Sequence, residues 1–286
     1  MKKILLAIFC FYTFSVVTGC RKSYDPGDWD ILPERNIPEP EPPVDLPGTN
    51  FKVMSINMAL RNDAAAFEPM VKFIMEYDPD FVFLRQVDSA TTRANNINRP
   101  QVLADSLGME AYFKKNFDYQ SGGFGNAVLS KYPIKEKYSQ ILSRTDGSTA
   151  EFRSFIRIKA EIKEGQFLYF SGTELDPNAN NRVLQTVDII NAMDRLDAPA
   201  IFVGNFNEQE AANGQTLTYL KGAFTFACLG TGCPWNAPKA NPTGVFDYIT
   251  FKDPNNMLRL VNYSTFHSSA NTFLPMVAEF KIIDNQ

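Results

Sequence analysis

The most constraining feature of this sequence is a series of short apolar runs, each of strand length, that end in polar side chains. FKVMSIN (Phe51–Asn57) closes on Asn57, FVFL (Phe81–Leu84) gives way to Arg85-Gln86, and IFVGNFN (Ile201–Asn207) turns through Gly204 into two amides. GNAVLSKYPI (Gly125–Ile134), the alternating RSFIRIKAEI (Arg153–Ile162), Gln166–Gly172 with its following TELD, VFDYITF (Val245–Phe251) and a last segment near Pro275–Ile282 behave alike. Such runs read as buried or half-buried strands. Between them lie stretches of helical period. Phe67, Met70, Val71, Ile74 and Met75 define a helix over Asp63–Tyr77 with Asp63 as N-cap, and a short helix is predicted near Pro100–Leu107. Val183, Leu184, Val187, Ile190 and Met193 define another over Arg182–Leu196. Strands interleaved with amphipathic helices predict α/β layers, and polar strand ends are where open sheets place ligands.

The N-terminus stands apart from this pattern. Lys2 and Lys3 precede the apolar run Ile4–Val17, which leads into Thr18-Gly19-Cys20. A basic start, a short apolar core and small residues describe an export signal. The ending VTGC resembles a bacterial lipobox, in which Cys20 becomes the lipidated mature N-terminus; an ordinary signal peptide or a buried helix are the other readings. Arg21, in place of an inner-membrane aspartate signal, favours the outer membrane over the inner. The following NIPEPEPPVDLPG is rich in proline, which fixes φ and removes backbone donors, so it reads as a semi-rigid acidic tether. The expected organisation is a signal over 1–19, a tether over 20–49 and one domain over 50–286, exported, lipid-anchored and monomeric.

The formal charge is −4 and becomes more negative once Lys2 and Lys3 leave. An acidic chain lacks the general attraction for polyphosphate on which nucleic-acid binding rests. Cys228 and Cys233, in CLGTGC, predict a small disulfide loop in an exported protein. A metal site there is disfavoured, because no second cysteine pair or nearby histidine exists and His267 is the sole histidine of the chain.

The polar strand ends SIN, LRQV, GTELD, GNFN, FDY and NTFLPMVAEF follow one another in an order and spacing that resemble the endonuclease/exonuclease/phosphatase superfamily, whose members include deoxyribonuclease I. The resemblance spans nearly all of Phe51–Ile282, with PDFVFL and GFGNAVLSKYPI as supporting segments. It implies a four-layer α/β/β/α sandwich of two mixed sheets. It also implies a site in which a divalent cation contacts a phosphoryl group while a histidine and acidic groups manage the attacking water. Active members carry S-x-N, LQEV, THLD, GDFN, a DYI-type strand and SDHxPV. Carried over, Asn57, Asn207 and Asp247 are retained, as are Leu175 and Asp176. Gln86 stands for the metal-binding glutamate, Glu174 for a histidine, Asn205 for the water-orienting aspartate, and Thr272 and Phe273 for the aspartate and general-base histidine.

Glutamine for glutamate and asparagine for aspartate keep shape and hydrogen-bonding capacity while removing charge. The resemblance therefore implies a hydrolase fold whose site has lost its chemistry, working as a binding or accessory module at the cell envelope. No metal or cofactor is expected. The alternative is a phosphoester hydrolase with magnesium or manganese held by Glu174 and Asp247, with Glu174 or His267 as base. Arg153, Arg182 and Gln185 fall where bacterial members carry the same residue types, making the two arginines anion-binding candidates. Ligand classes left open are a small molecule, a glycan, for which Trp235 offers a stacking surface, or a protein.

Overall fold

The computed structural model describes residues 46–59, 64–238, 240–266 and 274–284. The signal segment, Cys20, most of the tether, Asp63, His267, Asn271, Thr272 and Phe273 lie outside them. The compact unit is Leu46–Gln286, and its first strand begins at Gly48, two residues ahead of the expected domain start.

Among the described residues, twelve strands and four α-helices follow in the order β1 (Gly48–Asn57), α1 (Ala64–Tyr77), β2 (Phe81–Ser89), α2 (Arg99–Leu107), β3 (Glu110–Tyr119), β4 (Gly122–Ser130), β5 (Ile134–Ile141), β6 (Ser154–Lys163), β7 (Gln166–Glu174), α3 (Ala179–Ala192), β8 (Ala200–Asn205), α4 (Gln215–Ala223), β9 (Thr225–Phe226), β10 (Asp247–Lys252), β11 (Leu258–Thr265) and β12 (Met276–Ile283). They form two six-stranded sheets, ordered β11-β12-β1-β2-β4-β3 and β5-β6-β7-β8-β10-β9. Each sheet is mixed. β1 runs parallel to β2 and β7 parallel to β8, while the other named pairings are antiparallel.

Side-chain parity explains the layering. On β1, Phe51 and Val53 join Phe81 and Phe83 of β2 and Phe170, Ile201, Val203 and Ile249 of the other sheet in one core between the sheets. Met54 and Ile56, with Val82 and Leu84, face outward onto Met70 and Ile74 of α1 and Leu103 of α2. Phe155, Phe202 and Tyr248 likewise face Ile189 of α3 and Leu217 and Leu220 of α4. The order of layers is helix, sheet, sheet, helix. Fully burying each such side chain contributes about 1.5–3 kcal/mol, so strands hydrophobic on both faces are the strongest determinants of the sandwich. Gly172 lets the sheets close, because a Cβ there would lie 2.3 Å from the Phe83 ring.

The strand and helix segments read from the sequence all appear, with shifted ends. The helix expected over Arg182–Leu196 spans Ala179–Ala192, begun three residues earlier because the Asn178 side chain accepts from the Asn180 and Asn181 amides. Strands β3, β5, β9 and β11 and helix α4 had no sequence counterpart. β3, β5 and β11 carry mostly exposed or half-exposed residues, so their apolar alternation is weak.

Candidate functional site

The inward parity that builds the inter-sheet core does not stop at the last apolar residue. Phe81 and Phe83 are followed on the same face by Arg85, Phe170 and Gly172 by Glu174, and Ile201 and Val203 by Asn205, while Asp247 precedes Ile249. Asn57 ends β1 in the same phase, opposite Arg85. Asn205 lies opposite Glu174 on one side and Asp247 on the other. The site is thus the polar end of the inter-sheet core, and Asn57, Arg85, Glu174, Asn205 and Asp247 are all buried.

Arg85 is the centre of this cluster and the residue that sequence reasoning passed over as a strand end. It is 1% exposed and heads the largest fully buried side chains. Its guanidinium lies 2.9 Å from Asp247 Oδ2 and 3.8 Å from Glu174 Oε1. Gln86 Nε2 donates to the same Glu174 oxygen at 2.7 Å, and Arg153 approaches it at 3.4 Å. Consecutive strand residues ordinarily face opposite ways. Here the pairing of β2 with β4 breaks between Leu84 and Val87, and Gln86 takes φ 58°. This bulge turns Gln86 to the side of Arg85, so both reach Glu174.

The cluster is balanced in charge, with two arginines facing two carboxylates. An aspartate at 205 would add a third carboxylate between Glu174 and Asp247, and the amide avoids that repulsion. Asn205 Oδ1 accepts from the Asn207 amide at 2.9 Å, and Asn207 Nδ2 donates to the Leu175 carbonyl at 2.6 Å. Asn57 Oδ1 accepts from the Ala59 amide at 2.7 Å. The retained amides therefore tie the strand ends and loops together. Burial pushes the Asp247 carboxyl above its ordinary range, with Glu174 adding to the rise; Arg85 and a hydrogen bond from Asn205 pull the other way. A further residue absent from the sequence expectation is Asn236, fully buried in the Gly/Pro-rich loop. Its Nδ2 donates to the Asp247 carbonyl at 2.7 Å, and its Oδ1 accepts from the Phe246 and Asp247 amides.

The two candidate anion-binding arginines do not share a site. Arg153 belongs to the Glu174 cluster. Arg182 instead pairs with Glu208 at 3.3 Å and donates to the carbonyls of Asp176 and Pro177. Gln185 Oε1 accepts from the Asp176 amide. Cys228 and Cys233 form a disulfide.

Divalent cations want anionic oxygens. Glu174 Oε2 and Asp247 Oδ1 have no hydrogen-bond partner among the described residues, but the other oxygen of each carboxylate faces the Arg85 guanidinium. A divalent cation between them would meet a fixed positive charge at contact distance in a buried site, where charge repulsion is strong. Among the described residues no three His, Cys, Asp or Glu side chains converge. The described residues at this site do not fit the divalent metal that the resemblance implies.

Comparison with known proteins agrees with the fold. A structure described as an endonuclease/exonuclease/phosphatase family protein from Bacteroides thetaiotaomicron superposes with a TM-score of 0.65 at 16% identity, covering 84% of this chain and all of that one. A mannosyl-6-phosphatase from the same organism gives 0.62 at 16% identity over 80% and 99% of the two chains. The human Nocturnin catalytic domain gives 0.65 at 14% identity over 82% and 93%. No curated protein matches by sequence. The sequence model described as "PGAP2IP, C-terminal nuclease-like domain" matches residues 49–223. With that match across more than half of its length, and a sandwich whose polar strand ends converge as the motif order implies, the chain belongs to the PGAP2IP C-terminal nuclease-like family within the endonuclease/exonuclease/phosphatase superfamily.

Proposed function

We propose that this protein is an exported, lipid-anchored binding or accessory module of the cell envelope, built on a phosphoester-hydrolase fold without the hydrolytic reaction. The observation that carries the reading is the Arg85 guanidinium set between Glu174 and Asp247. A fixed internal cation satisfies the two carboxylates and repels an external one. With Gln86 and Asn205 neutral, Glu174 and Asp247 are the acidic pair left among these strand ends, and both face Arg85. The rival reading, a magnesium- or manganese-dependent hydrolase, rests on the free oxygens Glu174 Oε2 and Asp247 Oδ1. It requires Arg85 to leave its buried position.

The test is hydrolysis of bis-p-nitrophenyl phosphate and p-nitrophenyl phosphate by the purified protein with magnesium or manganese. No rate above the buffer control is expected. A rate that Asp247→Ala abolishes would overturn the reading. The anchor is tested separately. Cys20→Ala is expected to release the protein from the membrane fraction, and retention there would remove the anchor from the proposal.

A further inference from the structure

A cavity lies beside the disulfide loop, and none of the Arg85-cluster residues lines it. It measures about 440 Å³ and is lined by Gln209, Glu210, Thr231, Trp235, Thr243 and Tyr248 among others. That is the size of an ordinary small-ligand pocket.

Trp235 is 57% exposed, yet its flanks are fixed. Asn236, the next residue, is fully buried and bonded to β10, and its carbonyl accepts from the Leu274 amide. On the other side the Cys228–Cys233 disulfide closes the loop, and the Gly230 amide donates to Glu210 Oε2 at 2.7 Å. An indole held out of the core by anchored neighbours is a pre-organised face, and binding it costs little ordering. Tyr248, which also lines the cavity, is held by its hydroxyl, whose single hydrogen is shared between the Glu208 and Val245 carbonyls.

The polar lining selects the ligand class. Among the described lining residues Glu210 is the one side chain charged near neutral pH, and no lysine or arginine joins it. Its hydrogen bond with Lys221 holds its carboxyl below the usual range, so it stays ionised. Lys221 is committed to that carboxylate, so a phosphorylated or carboxylated ligand would find no uncommitted cation among the described lining residues. A purely apolar ligand would leave the Gln209 amide and the two threonine hydroxyls without partners once water is displaced. A pyranose ring meets both demands, with its C–H face on an aromatic ring and its hydroxyls on amide, hydroxyl and carboxylate groups.

We propose that this cavity binds a neutral glycan, with the Trp235 indole as the stacking platform and Gln209, Thr231, Thr243 and Glu210 as hydroxyl partners. This deepens the binding-module reading by naming a ligand class, at a site separate from the Arg85 cluster.

The experiment titrates the full chain with a panel of neutral oligosaccharides and 6-phosphorylated counterparts, followed by tryptophan emission and calorimetry. A neutral oligosaccharide is expected to bind and change the emission, and Trp235→Ala to weaken it by about tenfold or more. Trp235→Phe is expected to retain part of the affinity, and Gln209→Ala to weaken binding with the fold intact. Absence of binding across the panel, preference for the phosphorylated members, or binding that Trp235→Ala leaves unchanged would each overturn the proposal. Hydrolysis is read in its own assay. Activity at the Arg85 cluster would overturn the accessory reading and leave glycan binding standing.

Discussion

Replacing Arg85 by methionine tests the central claim, that one guanidinium compensates two buried carboxylates. Methionine keeps an unbranched side chain of related length and removes only the charge and its donors. In the folded protein the Arg85 and Asp247 side chains are 2% and 5% exposed, with 2.9 Å between nitrogen and oxygen; Glu174, at 3.8 Å, is 7% exposed. Solvent screening is therefore slight. Removing one partner of such a pair leaves an uncompensated buried charge and costs about 3–5 kcal/mol. For a domain of this size that corresponds to a fall in Tm of roughly 6–20 °C.

The pH dependence gives a second reading. Asp247 has a folded pKa raised by burial, partly offset by Arg85. A carboxyl raised in the folded state holds its proton more tightly folded than unfolded. The stability it lends is complete below its unfolded pKa of about 3.9 and is lost as pH rises through the folded value. Without Arg85 the offset disappears, the folded pKa climbs further and the loss at neutral pH deepens. Chemical denaturation of wild type and Arg85→Met between acidic and neutral pH should show a deficit that is largest at neutral pH and shrinks on acidification. In the Arg85→Met background, Asp247→Asn should recover part of the loss, with a coupling energy at the upper end of the ~0.5–3 kcal/mol range. A deficit below about 1 kcal/mol, or one independent of pH and of Asp247, would refute the compensation argument.

Three other outcomes follow from the geometry. Magnesium or manganese is expected to leave the wild-type Tm unchanged and to raise that of Arg85→Met, since the substitution removes the cation beside Asp247 and one of the two beside Glu174; thermal shift with and without cation checks this. Gly204 takes φ 153°, and a Cβ there would lie 2.0 Å from the Thr173 carbonyl oxygen, so Gly204→Ala should destabilise by about 1–3 kcal/mol or more, read by urea unfolding. Phe206 is fully buried and stacked between Phe202 and Tyr248 at centroid distances of 5.1 and 5.3 Å, so Phe206→Ala should cost about 3–5 kcal/mol in the same assay.

Much of the fold was written in local pattern. Apolar runs with inward and outward parity, the helical periods beginning at Phe67 and Val183, and the order of polar strand ends are short-range properties. They sufficed for the four-layer sandwich and for the family. The amides at Gln86 and Asn205 were equally visible, because they sit inside recognisable segments. Strands β3, β5 and β11 were not, because edge and exposed strands bury too little to impose a strong alternation on the sequence.

The chemistry of the site was decided only in three dimensions. Arg85 and Asp247 are 162 positions apart, and nothing near LRQV says that the arginine points inward between two carboxylates. Its direction follows from the parity of β2, and Gln86 joins it through the bulge between Leu84 and Val87, which depends on the pairing with β4. Arg153 and Arg182 looked equivalent as residue types. Tertiary packing sends one to Glu174 and the other to Glu208. The sequence by itself showed amides at Gln86 and Asn205 where the motifs of the superfamily it resembles lead one to expect carboxylates. Only the folded chain decided that a guanidinium neutralises the two that remain, because electrostatic compensation acts through space, across strand ends that sequence distance keeps apart.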